Sequence, residues 1–267
     1  MVVFMTDEAF KEFVEVREAF RSLVETMSRS MPWLAGVQDR MRLAGKHQDY
    51  AIETPIVFNA SLDSVTRETE FSFIIVADNP GIREQSAAKR SYLVGHSGKL
   101  AEGWFGRELE LDFRGSTVIL NKTPVHTPRT AELTILLELA KEHREELAAA
   151  IGESQRIMAT LAFRLHAALK IPVWISGYSE LAPGKLFGIY SQELKRLYSE
   201  APAWMRESLW LFRHFSMNQF AIEMRQKFLP AGVDAAGIST TEGTRRSATL
   251  EALRQIGSDN RRRILNL

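Results

Sequence analysis

The sequence predicts an α/β fold, a three-layer α/β/α sandwich around a central, mostly parallel four-stranded sheet. Four short apolar runs have the length and the β-branched or aromatic composition of buried strands, namely residues 71–77, 117–120, 171–177 and 209–212. Helical patterns separate these runs along the chain. Since strands joined by helical crossovers pair in parallel, this alternation favours a parallel sheet over a hairpin-built one.

A long helix is expected at the N-terminus, where Asp7 is placed to cap it. Its apolar residues recur at helical spacing, and they are Phe10, Phe13, Val14, Phe20, Leu23, Val24 and Met27. Residues 31–33 (Met-Pro-Trp) break the pattern, and residues 35–70 are mixed and turn-rich, so we expect them to cover the sheet without long elements.

Each predicted strand is bounded by turn residues. The first ends at Asn79-Pro80-Gly81, and the second follows residues 114–116 (Arg-Gly-Ser). The third carries Pro172 near its start, where a missing donor is tolerated. Helical patterns follow at residues 130–150, 153–169 and 192–198.

The chain is expected to form one domain over residues 1–236, with a basic C-terminal extension over residues 237–267. Residues 237–243 are rich in Gly, Ser and Thr, like a hinge, and arginines follow at 245, 246, 254 and 261–263. The basic segment reads as a short helix, for which two interpretations stay open. One is a solvated surface helix, and the other is an arm that contacts phosphates.

Composition restricts the function classes. The chain has 267 residues, of which 45% are hydrophobic and 25% charged, with a formal net charge of +1, as in an ordinary globular protein. The absence of cysteine excludes disulfides, thiolate nucleophiles and cysteine-held zinc or iron–sulfur centres. No secretory signal and no membrane-length apolar run are apparent, so a cytoplasmic protein is expected, and we predict a monomer.

Three motifs follow predicted strands directly. They are residues 76–81 (Val-Ala-Asp-Asn-Pro-Gly), 118–121 (Val-Ile-Leu-Asn) and 213–216 (Arg-His-Phe-Ser). The carboxyl ends of parallel strands lie along one edge of the sheet, where such folds bind ligands. Two amides, a histidine and a hydroxyl are therefore expected at one site. Taken singly, each motif is more typical of an ordinary turn or of a structural histidine than of a functional site.

These residue types suit a planar polar ring. Asn121 offers an acceptor and a two-proton donor, which complement a pyrimidine edge. His214 is a natural donor to developing negative charge, and Ser216 can bind a backbone phosphate. The stretch 91–100 supplies apolar bulk and then a glycine-marked helix start, whose backbone amides suit a phosphate.

In combination, the motifs resemble those of the uracil-DNA glycosylase superfamily over roughly residues 71–220. Residues 77–81 resemble its first motif, closest to the Asn-Pro-Gly form, and residues 118–121 its strand that ends in Asn. Residues 214–216 are similar to its His-Pro-Ser motif with Phe in place of Pro. Residues 93–100 resemble the Phe-Val-Gly-x-Ala-Gly-x-Leu stretch of the iron–sulfur branch. Residues 173–178 resemble the strand that reads Leu-Trp-Gly-x-x-Ala in members of the superfamily. The resemblance implies a glycosylase-like α/β/α fold.

The resemblance implies catalytic roles for three residues. Asn79 would position the attacking water, and Asp78 is the rival for that role because it is the stronger base and lies one residue away. Asn79 is favoured because it directly precedes Pro80, as the working residue does in the family. His214 would stabilise the negative charge that builds on the departing base.

The same resemblance assigns the base pocket to Asn121, Pro80, Gly81, Tyr92 and Leu93. Asn121 would bind the base edge. Gly81 stands where strict uracil enzymes place a Tyr that blocks the thymine methyl group, so a permissive pocket is expected. Leu93 stands where the iron–sulfur branch has a base-stacking Phe, so Tyr92 or another aromatic residue would have to replace that ring.

DNA contacts are expected from Ser216, Met217, Asn218, Ser97 and Lys99. Ser216 would hold a phosphate, and Met217 would be the apolar wedge that keeps the duplex open. The implied partner is DNA that contains uracil or a related lesion. No cofactor and no metal are expected, since the scattered histidines and acids lack ligand spacing and no cysteine can hold a cluster.

Two other classes remain as alternatives. A non-catalytic nucleic-acid or nucleotide-binding protein on the same scaffold has the same composition. A serine hydrolase is a weaker alternative, because residues 177–181 (Gly-Tyr-Ser-Glu-Leu) lack the last glycine of the nucleophile elbow.

Overall fold

The structure is a computed structural model that describes residues 5–45, 48–228 and 242–267. Its four strands are β1 (Phe73–Ala77), β2 (Thr117–Asn121), β3 (Val173–Ser176) and β4 (Leu209–Phe212). All three pairings are parallel, in the order β2-β1-β3-β4, and every strand residue is buried. Helices cover both faces, which confirms the predicted three-layer α/β/α fold.

The helices within the described ranges are α1 (Asp7–Ser30), α2 (Leu34–Ala44), α3 (His96–Glu108), α4 (Glu132–Leu139), α5 (Arg144–Leu169), α6 (Gly188–Ser199), α7 (Ala203–Glu207), α8 (Gln219–Phe228) and α9 (Glu242–Leu265). The cap of α1 is Thr6, whose Oγ1 accepts from the Ala9 N–H at 3.1 Å. Asp7 is the first helical residue, so its predicted capping role is wrong. None of these helices combines the length and apolar character that a membrane span requires.

Two helix predictions differ from the structure. The region predicted as turn-rich contains α2, in which Leu34, Val37 and Met41 form a narrow buried stripe. The predicted break near residue 151 is absent, because α5 continues through Gly152. A Cβ on Gly152 would lie 2.9 Å from Ile189 Cδ1, so this glycine permits close packing of α6 against α5.

Strand register decides which side chains share a face. Trp174 pairs with Ile75 on one side and with Trp210 on the other, so these three lie on the same face of the sheet. The ring of Trp174 packs against Trp104 and Phe105 of α3, with centroids 6.0 and 5.4 Å apart. Ala77 and Asn121, which also pair, belong to this α3-covered face.

The C-terminal helix α9 is part of a helical layer of the sandwich. The interpretation of this segment as a solvated surface helix is therefore wrong. Helix α9 packs against β4, where a Cβ on Gly257 would lie 2.5 Å from Trp210 Cβ. Its Asn260 donates to the Leu211 carbonyl at 2.9 Å, and Leu253 belongs to the hydrophobic core. The predicted domain boundary after residue 236 and most of the hinge lie outside the described residues. The phosphate-contacting arm stays a prediction.

Candidate functional site

A cleft of about 1120 Å³ lies at the carboxyl edge of the sheet. Segments that follow all four strands line it, at residues 78–84, 127–134, 179–186 and 214–217, together with residues 93–97 at the start of α3. This is the edge at which parallel α/β sheets bind ligands. Two of the three predicted motifs, at residues 76–81 and 213–216, therefore contribute to one cleft, whereas no residue of the 118–121 motif lines it.

Eight predicted site residues line the cleft, and they are Asp78, Asn79, Gly81, Leu93, Ser97, His214, Ser216 and Met217. Five others do not, and they are Pro80, Tyr92, Lys99, Asn121 and Asn218.

Asn79 presents its amide carbonyl to the cleft. Its Nδ2 donates to the Val125 carbonyl at 3.1 Å and to Thr127 Oγ1 at 2.8 Å, so two bonds fix the amide orientation. No partner of Asn79 Oδ1 occurs among the described residues, and the side chain is half-buried. An oriented amide oxygen of this kind can accept a hydrogen bond from a water and hold it in place.

Asp78 is engaged in a buried ion pair. Its Oδ1 accepts from Lys122 Nζ at 2.5 Å, and its Oδ2 accepts from Thr130 Oγ1 at 3.3 Å. Lys122 is fully buried and also donates to the Ser176 carbonyl at 2.5 Å. Burial lowers the pKa of Lys122, and the Asp78 charge opposes that shift. Because both of its oxygens have partners, Asp78 is less suited than Asn79 to holding a water.

Gly177 allows the approach of that carboxylate. Its φ is +81°, in the left-handed region that glycine tolerates. A Cβ there would lie 2.6 Å from Asp78 Oδ1. The residue after β3 therefore has both a conformational and a steric reason to be glycine.

The hydrogen bonds of His214 define its tautomer. The Ser216 N–H donates to His214 Nδ1 at 3.0 Å, and Ser216 Oγ lies 2.7 Å from the same nitrogen. Nδ1 therefore carries no proton, and the neutral ring has its proton on Nε2. Burial lowers the pKa of His214, and the Asp78 charge partly opposes the shift, so the ring stays neutral near pH 7. The Nε2–H has no acceptor among the described residues.

Tyr92 does not form the cleft wall, so its predicted place in the base pocket is wrong. It is fully buried, its hydroxyl donates to the Val57 carbonyl at 2.6 Å, and its ring centroid lies 6.1 Å from that of Phe20. Leu93, which adopts a left-handed φ of 55°, takes the wall position. A Cβ on Gly98 would lie 1.3 Å from the Leu93 carbonyl oxygen, so the start of α3 packs directly on this loop.

Asn121 lies below the cleft surface. It is 1% exposed, pairs in register with Ala77, and neither of its side-chain polar atoms has a partner among the described residues. Ala77 itself lines the cleft. Asn121 therefore neighbours a cleft residue without lining the cleft itself, and its role as the base-reading amide stays a prediction.

The predicted DNA contacts lie around the cleft mouth or are exposed near it. Met217 is 81% exposed and, like Asn218, adopts a left-handed φ. Ser97 lines the cleft in the first turn of α3, whereas Lys99 is exposed outside it. Pro80, which was predicted to belong to the base pocket, is buried instead, and its carbonyl accepts a hydrogen bond from the Thr127 N–H at 3.2 Å.

Glu84 is a cleft residue that the sequence reasoning missed. It is 7% exposed, accepts from the Gly81 N–H at 3.1 Å and hydrogen-bonds the backbone of Leu93. Its carboxyl group thus joins the two loops that carry Gly81 and Leu93. Burial raises the pKa of Glu84 to about 7. The usable signal was its position three residues after Gly81, from which a carboxylate can reach back to a backbone N–H.

The buried Glu84 makes stability depend on pH. Its pKa is about 7 in the folded protein, above the ordinary value of 4.5, so its contribution to stability is fully present below pH 4.5 and is lost as pH rises through 7. We expect Glu84→Gln to gain about 3 kcal/mol of unfolding free energy relative to wild type between pH 4.5 and pH 8. Urea unfolding at both pH values measures this gain, with exposed Glu70→Gln as the control. A constant difference would contradict the assignment.

The cleft rim is basic on balance, with three exposed cations against the half-buried carboxylate of Glu180. Arg83, Arg129 and Lys185 line it, are exposed, and make no ion pair among the described residues. Within the same ranges, no group of three or more His, Asp or Glu side chains is placed to hold a metal ion. The rim therefore offers positive charge to an anionic ligand.

No protein-family model, curated protein or solved structure matches this chain. The cleft geometry combines an oriented amide oxygen, a neutral histidine donor and a basic rim, and that combination is what a functional proposal has to explain.

Proposed function

We propose that this protein is a DNA glycosylase that hydrolyses the N-glycosidic bond of an everted uracil or a related damaged base. One observation carries the proposal. Asn79 and His214 line the same cleft although 134 residues separate them in the sequence, and within the described part of the chain neither the Asn79 amide oxygen nor the His214 Nε2–H has a partner. An acceptor for water and a donor for a departing base are the two groups this reaction requires.

The reaction begins once the nucleotide leaves the base stack and enters the cleft. The bond between C1′ and the ring nitrogen breaks, and its electron pair stays with the base. The sugar becomes an oxocarbenium-like cation. His214 Nε2–H donates to the base carbonyl on which negative charge builds. The neutral ring stabilises this charge by donating a hydrogen bond, and it keeps its own proton.

Water completes the reaction from the other side of the sugar. Asn79 Oδ1 accepts a hydrogen bond from the water, whose oxygen then bonds to C1′. The water proton is lost to solvent, and the base takes up a proton to leave as the neutral molecule. Asp78 is held by Lys122 and Thr130, and its charge favours the nearby cationic sugar.

The rim accounts for binding to the DNA backbone. Arg83, Arg129 and Lys185 are exposed cations beside the cleft, and phosphate contacts of this kind release counterions. Met217, which is 81% exposed next to His214 and Ser216, is placed to fill the space that the everted nucleotide vacates.

A non-catalytic binding protein on the same scaffold is the second candidate. The observation that favours it is the burial of Asn121, whose amide does not reach the cleft surface. The basic rim would serve such a protein equally well. The two candidates differ in whether a base is released.

Incubation with a uracil-containing oligonucleotide, followed by alkali, distinguishes them. We expect strand scission by the wild-type protein and its loss in Asn79→Ala and Asn121→Ala. The control is Gln192→Ala, which removes an exposed amide from α6 and should leave scission unchanged. Salt-sensitive binding without scission would support the non-catalytic candidate. Full scission by Asn79→Ala would contradict the proposed role of that residue.

A further inference from the structure

Strand register places two polar side chains on either side of Ala77. Asn121 pairs with Ala77 across β2 and β1. On the other side Val76 pairs with Ile175, so Ser176 is the β3 neighbour of Ala77. Since neighbours in register share a face, the side chains of Asn121 and Ser176 flank the methyl group of Ala77, which lines the cleft.

Both flanking groups are buried and without partners. Ser176 is 0% exposed and Asn121 is 1% exposed, and neither Ser176 Oγ nor either polar atom of Asn121 has a partner among the described residues. Leaving buried polar atoms unpaired is unfavourable, so native structures contain few of them. Three such atoms around one small cleft residue therefore require an explanation.

A buried serine of helix α5 shows the contrast, because its hydroxyl group is paired. Ser154 is also 0% exposed, and its Oγ lies 2.8 Å from Thr123 Oγ1 and donates to the Ile151 carbonyl at 2.8 Å. The fold can thus satisfy a buried serine where it has only a structural role. Among the described residues, buried polar atoms of Gln38, Trp174, Tyr190 and Arg261 also lack partners, but three such atoms flank one cleft residue only at Asn121 and Ser176.

The missing partners define a ligand chemistry. The Asn121 amide supplies one acceptor and two donors, and the Ser176 hydroxyl supplies one donor and accepts as well. Asn121 is on β2 and Ser176 is on β3, and β1 lies between these two strands, which are therefore roughly 10 Å apart. At this level of the sheet, the β1 residue between the two side chains is Ala77. A planar pyrimidine whose edge alternates carbonyl, N–H and carbonyl can satisfy both groups at once.

We propose that Ser176 and Asn121 form the floor of the base subsite, and that Ser176 is a further residue that determines which ring is bound. The ligand class, a pyrimidine with an imide edge, rests on the proposed function. Because the floor atoms have almost no exposed surface, the ring displaces the side chains between them and the cleft as it enters. Ser176 Oγ and the Asn121 amide then gain the partners that they lack in the free protein.

Free uracil titrated into the wild-type protein and into Ser176→Ala tests the subsite by calorimetry, beside thermal unfolding of each. We expect Ser176→Ala to weaken uracil binding about tenfold, as for one lost buried hydrogen bond, with an unchanged or higher Tm because an unpaired hydroxyl is removed. Ser154→Ala is the matched control, and it should lower Tm without changing uracil affinity. A structural role for Ser176 would not give this opposite pair of effects.

The outcomes separate the subsite from the proposed activity. If uracil does not bind the wild-type protein at 10 mM, roughly the weakest affinity that such a subsite would have, or if Ser176→Ala binds it equally well, the subsite is wrong. Release of uracil from an oligonucleotide by the wild-type protein would then still support the glycosylase. Weakened binding by Ser176→Ala together with no base release would support the subsite and contradict the glycosylase.

Discussion

Replacing Asp78 with asparagine is expected to lower the free energy of unfolding by about 3–5 kcal/mol. The variant keeps the size of the side chain but removes the charge that pairs with Lys122, whose Nζ lies 2.5 Å from Asp78 Oδ1. Lys122 is 0% exposed, so no solvent replaces the lost carboxylate. The remaining contacts, with the Ser176 carbonyl and the Phe187 ring, cannot neutralise an ammonium group.

A double-mutant cycle isolates the ion pair. Asp78→Asn combined with Lys122→Met removes both charges, so we expect the double variant to recover much of the stability lost in the single variant. Chemical denaturation at pH 7 measures both. Glu251→Gln, which breaks the exposed pair with Arg254, is the control and should have a much smaller effect. Equal losses in the single and double Asp78 variants would show that charge is not the cause.

The second large effect is expected for His214→Ala, which should slow single-turnover base excision by about 10²–10³-fold, as for loss of one donor to developing charge. Affinity for the DNA should change little, since the histidine acts on charge that appears only as the bond breaks. Quenched-flow measurement of base release checks the rate, and fluorescence anisotropy checks the binding.

The pH profile gives His214 a separate test. Burial lowers the pKa of His214 below the ordinary histidine value of 6.5, so the ring is still neutral at pH 6.5. The excision rate should therefore not fall as the pH is lowered to 6.5. A profile that required protonated histidine would rise instead as pH falls through 6.5. Unchanged excision by His214→Ala would remove the residue from the mechanism.

Much of the fold was predictable because its signals are local. The four strands are continuous apolar runs, and turn residues end them within two positions of the observed bounds. The convergence of Asn79 and His214 also followed, because parallel strands present their carboxyl ends at one edge. The burial of helix α9 did not follow, since the small or polar residues Gly257, Ser258 and Asn260 share its buried face with apolar residues.

The site was less predictable because it depends on tertiary contacts. Tyr92 and Leu93 are adjacent, and only the left-handed φ at Leu93 and the close approach of Gly98 decide which of them lines the cleft. Glu84 is surrounded in sequence by residues typical of an exposed loop, and its burial follows from two backbone bonds. Neither outcome is encoded in residue type or spacing alone.

Hydrogen exchange in the presence of a uracil-containing oligonucleotide tests the central claim most directly. A 2′-fluorine on the uracil nucleotide slows bond cleavage by disfavouring the cationic sugar, so that the complex persists. Relative to the same strand with cytosine, we predict slower amide exchange at residues 78–84, 93–97 and 214–217, which surround one cleft. Unchanged exchange in these three segments, or protection confined to other surfaces, would contradict a base site at the carboxyl edge of the sheet.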